Sequence, residues 1–133
     1  MGLSKIWRKR FDRMVERVLQ ELPPSVQKLL EEVPLHVEDH PSRKLMRQMG
    51  VERRDELCGL FTGVPMTEQS ISTPIELPPF VTIYREGILA ATREIHGRIT
   101  PRTLREQIRV TLLHELAHYH GLNEEELEEL GYE

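Results

Sequence analysis

Two histidines and a glutamate stand close together in the stretch LLHELAHYHGLNEEE, residues 112–126. His114, Glu115 and His118 form the pattern His-Glu-x-x-His. Side chains four positions apart lie on one face of a helix, so two imidazoles can share one zinc ion at about 2.0–2.1 Å each. Glu115 is displaced by one position and is placed to reach a water bound to the metal, as the general base of a zinc hydrolase does. The pattern therefore predicts a zinc site with Glu115 as its catalytic residue.

A third protein ligand is expected because catalytic zinc usually has three such ligands and one open position. Gly121 lies seven residues after His114, where a helix can end and turn sharply, and Glu124 follows three residues later. Metzincins use this spacing with a histidine in the last place. We therefore predict His114, His118 and Glu124 as the ligands of one zinc ion per chain. His120 is a competing ligand, although a residue two positions after His118 points away from the shared face.

The helix that must carry the motif is the element that the sequence predicts most clearly. Thr100 is a suitable N-cap and Pro101 suits the first helical position. Gly121 is a natural stop, and a last helix is predicted to start at Asn123. An apolar stripe at intervals of four runs through the long helix: Leu104, Ile108, Leu112 and Leu116.

The first part of the chain predicts two helices and a strand. Apolar residues at helical spacing over 4–22 indicate an amphipathic helix with Ser4 near its N-cap. The Leu-Pro-Pro sequence ends it, and residues 26–30 favour a short second helix. Alternating apolar residues over 33–37 are typical of a half-buried strand.

The middle of the chain is less regular. Residues 39–56 are polar and predict a loop with a helical turn around 43–49. Residues 57–62 fit a short strand, and residues 80–86, FVTIYRE, give the clearest strand pattern in the chain. Residues 88–96 favour a helix that stops at the next glycine.

Length and composition are those of one globular domain, which we expect to span residues 1–133. Apolar residues make up 38% and charged residues 30% of the chain, so disorder is not expected. Cys58 is the only cysteine and cannot form an internal disulfide, so nothing indicates an oxidising compartment. Because no apolar stretch suits a signal peptide or a spanning helix, we expect a cytoplasmic protein with no membrane partner.

Charge is unevenly distributed along the sequence. The net charge is −4, yet the first 17 residues are rich in Lys and Arg, and neither occurs after Arg109. Such a split can mark a basic arm that binds nucleic acid, but two solvated helix faces explain it more simply. No nucleic-acid partner is therefore expected.

At the level of whole segments, the chain resembles the minimal zincin family of small bacterial metallopeptidases, whose pattern is His-Glu-x-x-His-x-x-Gly-x-x-Asp. The resemblance rests on the first helix ending in LPPSV, on VPLHVED, LFTGVPMTEQS and FVTIYRE, and on REQIRVTLLHELAHYHG followed by EELEELG. It implies His114 and His118 as metal ligands and Glu115 as the catalytic acid/base. Glu124 stands where the family has Asp, so its longer side chain binds the zinc directly or through a water.

The same resemblance implies a compact, zincin-like α+β fold, with a small sheet packed on the helix that carries the motif. In zincin folds an extended peptide pairs with an edge strand beside the metal. Residues 80–86 are expected to form a strand of that sheet, and the sequence leaves open which strand is the edge. Tyr84, Tyr119 and His120 are candidate donors to a developing oxyanion.

The favoured function is thus a zinc-dependent metallopeptidase that acts on a peptide or protein substrate. The alternative is a non-catalytic module in which zinc locks the C-terminal helices and a closed four-ligand site includes His120. A general base between two ligands favours the enzyme, because a purely structural site has no need of Glu115. The sequence does not predict the oligomeric state.

Overall fold

The computed structural model describes residues 2–63 and 78–119, which form an α+β fold, as predicted. Five helices and three strands lie in these two ranges. The helices are α1 (Lys5–Glu21), α2 (Pro24–Glu32), α3 (Arg43–Met49), α4 (Arg85–His96) and α5 (Pro101–Tyr119). The strands are β1 (Leu35–Glu38), β2 (Gly59–Thr62) and β3 (Phe80–Tyr84).

The three strands form one sheet in the order β1-β3-β2. β1 runs parallel to β3, with Leu35 opposite Val81, while β2 runs antiparallel, with Phe61 also opposite Val81. The predicted strand 80–86 is confirmed as far as Tyr84, and its last two residues instead begin α4. Because β3 is the central strand, β1 and β2 form the edges of the sheet within the described ranges.

Helices α1 and α5 supply most of the core beneath this sheet. The apolar stripe predicted for α5 is buried, and α1 presents Phe11 and Val18 to the same interior. The Val, Leu, Ile and Phe side chains with no more than 2% of their surface exposed are Phe11, Val18, Val33, Val81, Ile83, Ile88, Ile108, Leu112 and Leu116. Burial of such side chains contributes about 1.5–3 kcal/mol each, so this cluster fixes the position of α5 against the sheet.

A charged network ties α1 and the end of β1 to the start of α4. The guanidinium of Arg85 donates to both carboxylate oxygens of Asp12 at 2.9 and 3.0 Å and to Asp39 at 2.9 Å. Arg8 donates to the other side of Asp39 at 2.6 Å. The hydrogen bonds from Arg8, followed by those from Arg85, lower the pKa of the Asp39 carboxyl.

Local signals account for most helix boundaries. Ser4 Oγ accepts from Trp7 N–H at 3.3 Å, which confirms the predicted cap of α1, and Gly97 ends α4 with a φ of 82°. Thr100 Oγ1 likewise accepts from Thr103 N–H at 3.1 Å at the start of α5. The predicted strand 33–37 begins two residues late, because Val33 is the C-cap of α2.

None of the described helices is long and apolar enough to cross a lipid bilayer.

Candidate metal centre

The two histidines of the motif lie one turn apart on α5, as their spacing predicts. His114 is half-buried and His118 is exposed. Their rings meet edge to face, with centroids 5.0 Å apart and planes inclined by 64°. The two Nε2 atoms are the closest polar atoms of the pair, at 3.3 Å. Both rings therefore direct the same nitrogen at the same point in space.

The separation of the two Nε2 atoms fits a zinc ion. Two nitrogens bound at about 2.05 Å with a tetrahedral angle between them lie about 3.3–3.4 Å apart. The observed 3.3 Å between Nε2 of His114 and Nε2 of His118 matches this edge of a tetrahedron in length. Imidazole nitrogen is also a preferred zinc donor. The pair is thus suited to hold two of the positions around one zinc ion.

Glu115 completes a group of three potential ligands. One ligand atom from each of His114, Glu115 and His118 lies within 4.8 Å of the other two. Glu115 Oε1 accepts a hydrogen bond from the backbone N–H of Phe61 at 3.1 Å. The carboxylate is therefore attached to strand β2 on one side and faces the histidine pair on the other.

The absence of a side chain at Gly59 allows β2 to approach α5 this closely. A Cβ atom at this position would lie 3.0 Å from Thr111 Cγ2 and 3.1 Å from Glu115 Cγ. Such distances are shorter than ordinary carbon contacts of about 3.5–4.0 Å. A glycine inside a strand often marks a place where another part of the chain comes near. Phe61 thus orients Glu115, and Gly59 leaves the space in which β2 and α5 meet.

Electrostatic surroundings set the protonation of Glu115. Burial raises its pKa, while the charges of His118 and His114 and the Phe61 N–H lower it in part. A carboxylate whose pKa is raised holds a proton more firmly, which suits a group that must accept one from water. The shift thus reflects the burial of the carboxylate where β2 meets α5.

Cys58 lies just before β2 and near the same carboxylate. Burial raises the pKa of its thiol to about 11, and the charge of Glu115 adds to the effect. The Sγ atom is 3.4 Å from the carbonyl oxygen of Gly87, to which the thiol donates. A protonated, hydrogen-bonded thiol is a poor nucleophile and a poor metal ligand.

The two described oxyanion candidates occupy different surroundings. Tyr119 is 8% exposed and its ring packs against Phe61, with centroids 6.0 Å apart. Phe61 pairs with Val81 in the sheet. Tyr84 lies three residues beyond Val81 at the end of β3, which is a distance of about 10 Å along the strand. Burial, followed by the charge of Glu38, raises the pKa of Tyr84 to about 12. Tyr119 is thus the nearer of the two to the motif.

The remaining predicted site residues, Glu124 and His120, lie outside the described residues. The same holds for Gly121, for the predicted last helix from Asn123, and for most of the segment LFTGVPMTEQS. The structure therefore brings together His114, Glu115 and His118, and Glu124 stays a prediction.

Comparison of the sequence with known proteins assigns the chain to a family. A search of curated proteins gives no match. The family model of the zincin-like metallopeptidases matches residues 30–132, which include β1, β2, β3 and the whole of α5. This range covers more than three quarters of the chain and includes His114, Glu115 and His118. The chain therefore belongs to the zincin-like metallopeptidase family.

Proposed function

We propose that this protein is a zinc-dependent peptidase. His114 and His118 bind the metal through Nε2, Glu124 is the third ligand, and Glu115 is the general base. The observation that carries this proposal is the arrangement around Glu115. Its carboxylate lies beside two nitrogens at zinc-ligand spacing and is oriented by a hydrogen bond from a strand of the sheet.

When bound, zinc supplies a Lewis acid for the scissile carbonyl and lowers the pKa of a bound water to about 7. Glu115 accepts the proton of the attacking water. Because Oε1 already accepts from Phe61 N–H, Oε2 is the oxygen available for this transfer. The same hydrogen bond restricts rotation of the carboxylate, which keeps the base in position during the reaction. Glu115 later returns the proton to the leaving amine.

The edge of β2 is the proposed place for an extended substrate. Tyr84 N–H donates to Cys58 O at 2.8 Å, so alternate residues from Cys58 onward direct their backbone groups toward β3. Gly59 and Phe61 consequently direct theirs away from the sheet, and the Phe61 N–H meets Glu115. A peptide that adds to β2 by strand pairing would bond through Gly59 and the Phe61 carbonyl, because the Phe61 N–H is held by Glu115, and would place its backbone beside the base. We therefore propose a peptide or protein as the substrate.

Two chemically close variants test the proposal. Glu115→Gln keeps the size of the side chain but removes its basicity, and Glu106→Gln makes the same change at an exposed position of α5. Each zinc-loaded protein is incubated with a broad peptide library, and new termini are read by mass spectrometry. We expect wild type and Glu106→Gln to cleave alike, and Glu115→Gln to be slower by about 10²–10⁴-fold at equal zinc content.

Two results would contradict the proposal. If wild type and Glu115→Gln were equally inactive at full zinc occupancy, the protein would be a non-catalytic module that zinc stabilises. If both were equally active, cleavage would not depend on a general base at this position.

A further inference from the structure

An apolar groove lies between α1 and the beginning of α5, away from the histidine pair. It encloses about 420 Å³. Its floor is apolar, and its rim is formed by three arginines of α1. We refer to it as the arginine groove, and its lining comprises Trp7, Arg10, Arg13, Met14, Arg17, Ile99, Thr100, Pro101 and Leu104.

The three arginines carry a positive charge that no carboxylate neutralises within the described ranges. Arg10, Arg13 and Arg17 are all exposed. Their spacing of three and four residues places them on one side of α1. Arg10 stacks over the ring of Trp7, with its guanidinium carbon 5.8 Å from the ring centroid. By contrast, Arg8 on the same helix is engaged by Asp39. The rim thus consists of cations that pair with no carboxylate of residues 2–63 and 78–119.

The arginine groove is separate from the candidate metal centre. Leu104 and His114 lie ten residues apart on α5, which is about 15 Å along the helix axis. Helix α1, which supplies the rim, also precedes the part of the chain that the family model matches, residues 30–132. The groove therefore combines a helix outside the matched region with the first turns of the helix that carries the motif.

We infer that the arginine groove binds an amphipathic helical segment of a partner protein, with apolar residues on one face and acidic residues beside them. A groove of this volume lies within the range of about 300–1,000 Å³ in which proteins enclose ligand groups. Arg10 and Arg17 are about 10.5 Å apart along α1, or two turns, so carboxylates two turns apart on the partner meet both. Apolar anchors in such a groove supply the affinity, and the surrounding charges select the partner and its direction.

The recessed floor favours a peptide over a membrane or a nucleic acid. Met14 and Leu104, which are 9% and 4% exposed, form the base of the groove, and the half-buried Trp7 and Ile99 supply its accessible apolar walls. A projecting side chain would meet these walls more fully than a flat bilayer would. Nucleic acid would likewise occupy the rim through its phosphates and leave the floor uncovered. A helix with projecting leucines and flanking glutamates covers both the rim and the floor.

The test uses the full-length, zinc-loaded protein and a fluorescein-labelled peptide of about 18 residues, with Leu at positions i, i+3, i+4 and i+7 and Glu elsewhere. Binding is measured by fluorescence anisotropy. Arg13→Glu combined with Arg17→Glu is expected to weaken binding by about tenfold or more. The matched control, Lys5→Glu combined with Lys28→Glu, makes the same charge change outside the groove and is expected to bind as wild type does. Melting temperatures establish that each variant is folded.

Several outcomes would overturn the inference. One is that the control substitutions at Lys5 and Lys28 weaken peptide binding as much as those at Arg13 and Arg17. The others are that a peptide with Lys in place of Glu, or one with Ser in place of Leu, binds as tightly as the original peptide. If the protein bound phosphatidylglycerol vesicles or a DNA duplex more tightly than the Glu peptide, and the peptide did not displace them, the arginines would be assigned to a membrane or to nucleic acid. Tight binding of LNEEELEELGYE, residues 122–133 of the chain itself, would assign the groove to a second copy of this protein. Failure of all peptides to bind would also end the proposal.

Discussion

The backbone N–H of Phe61 donates a 3.1 Å hydrogen bond to the carboxylate of Glu115, a residue 54 positions later in the chain. This bond joins an edge strand of the sheet to the motif helix. A carboxylate that accepts a backbone N–H of a rigid sheet has fewer orientations than one in solvent, so the proposed base is preorganised. The consequence is that changes in β2 should affect chemistry on α5.

Gly59→Ala tests this relationship. The added methyl group would meet Thr111 and Glu115 at 3.0–3.1 Å, so β2 and α5 must separate by a few tenths of an ångström. We expect destabilisation of about 1–3 kcal/mol by thermal or chemical unfolding. We also expect a loss of peptidase activity beyond what unfolding explains, because Glu115 moves relative to Phe61.

Gly97→Ala is the matched control for Gly59→Ala. Nothing lies within 4 Å of the added methyl group, but the φ of 82° makes the alanine strained. It should cost about 1 kcal/mol of stability and leave activity unchanged. Equal activity losses in the two variants, at equal stability, would mean that Gly59 has no special role in positioning the base.

The elements that local spacing defines were predictable from the sequence. The stripe from Leu104 to Leu116 repeats every four residues, and α5 follows it as far as the structure describes. The pairing of His114 with His118 follows from the same helical period. Helix α3 occupies the same range, Arg43–Met49, in which a helical turn was predicted; Ser42 caps it and Gly50 ends it in the left-handed region. Both signals are present in the sequence but lie in a polar segment with little apolar periodicity.

Long-range relationships were not predictable in the same way. The hydrogen bond between Phe61 and Glu115 depends on how the sheet packs on the helix, and no local pattern encodes this. The central place of β3 likewise depends on its pairing with both β1 and β2. Of these two strands, only β2 is the neighbour of β3 in the order of strands along the chain. The sequence predicted Gly59 as part of a strand, but it did not indicate that this glycine leaves space for Glu115 Cγ, 56 positions away.

The buried thiol of Cys58 should react slowly. With its pKa raised to about 11, about one thiol in a thousand is ionised at pH 8. An exposed cysteine with a pKa of about 8.5 would be ionised to about one quarter at that pH. We therefore expect alkylation by iodoacetamide to be about 100-fold slower than for a free thiol, and to accelerate as the pH rises toward 11. Unfolding in guanidinium should restore the ordinary rate, whereas rapid labelling of the native protein would contradict the burial of this thiol.

Asp39 should make the stability of the fold sensitive to acid. Its pKa is lowered in the folded protein, first by the hydrogen bond from Arg8 and then by Arg85. A carboxyl whose pKa is lower in the folded than in the unfolded state stabilises the fold above the unfolded pKa of about 3.9. That contribution is lost as the pH falls through about 4 toward the folded pKa. Asp39→Asn should therefore be less stable than wild type at pH 7, and the two should converge below pH 4.

The control for this prediction is Asp55→Asn. Asp55 pairs with the exposed Arg53, and 42% of its side chain is exposed. Its replacement should change stability by less than about 0.5 kcal/mol. The free energy of unfolding of wild type and of Asp39→Asn is measured by urea unfolding between pH 3 and 7. If the two curves were parallel over this range, ionisation of Asp39 would not contribute to stability, which would contradict the prediction.

Zinc content provides the most direct test of the ligand set. Protein purified without added metal or chelator should contain about one zinc per chain by elemental mass spectrometry if the proposed ligands His114, His118 and Glu124 bind it. His118→Ala should lose most of this zinc, and Glu124→Ala should show a sharp reduction. Glu106→Ala, at an exposed position of α5, should retain it. Full occupancy in Glu124→Ala would exclude Glu124 as a direct ligand and point to His120 or water, whereas no zinc in wild type after its addition would contradict the metal centre itself.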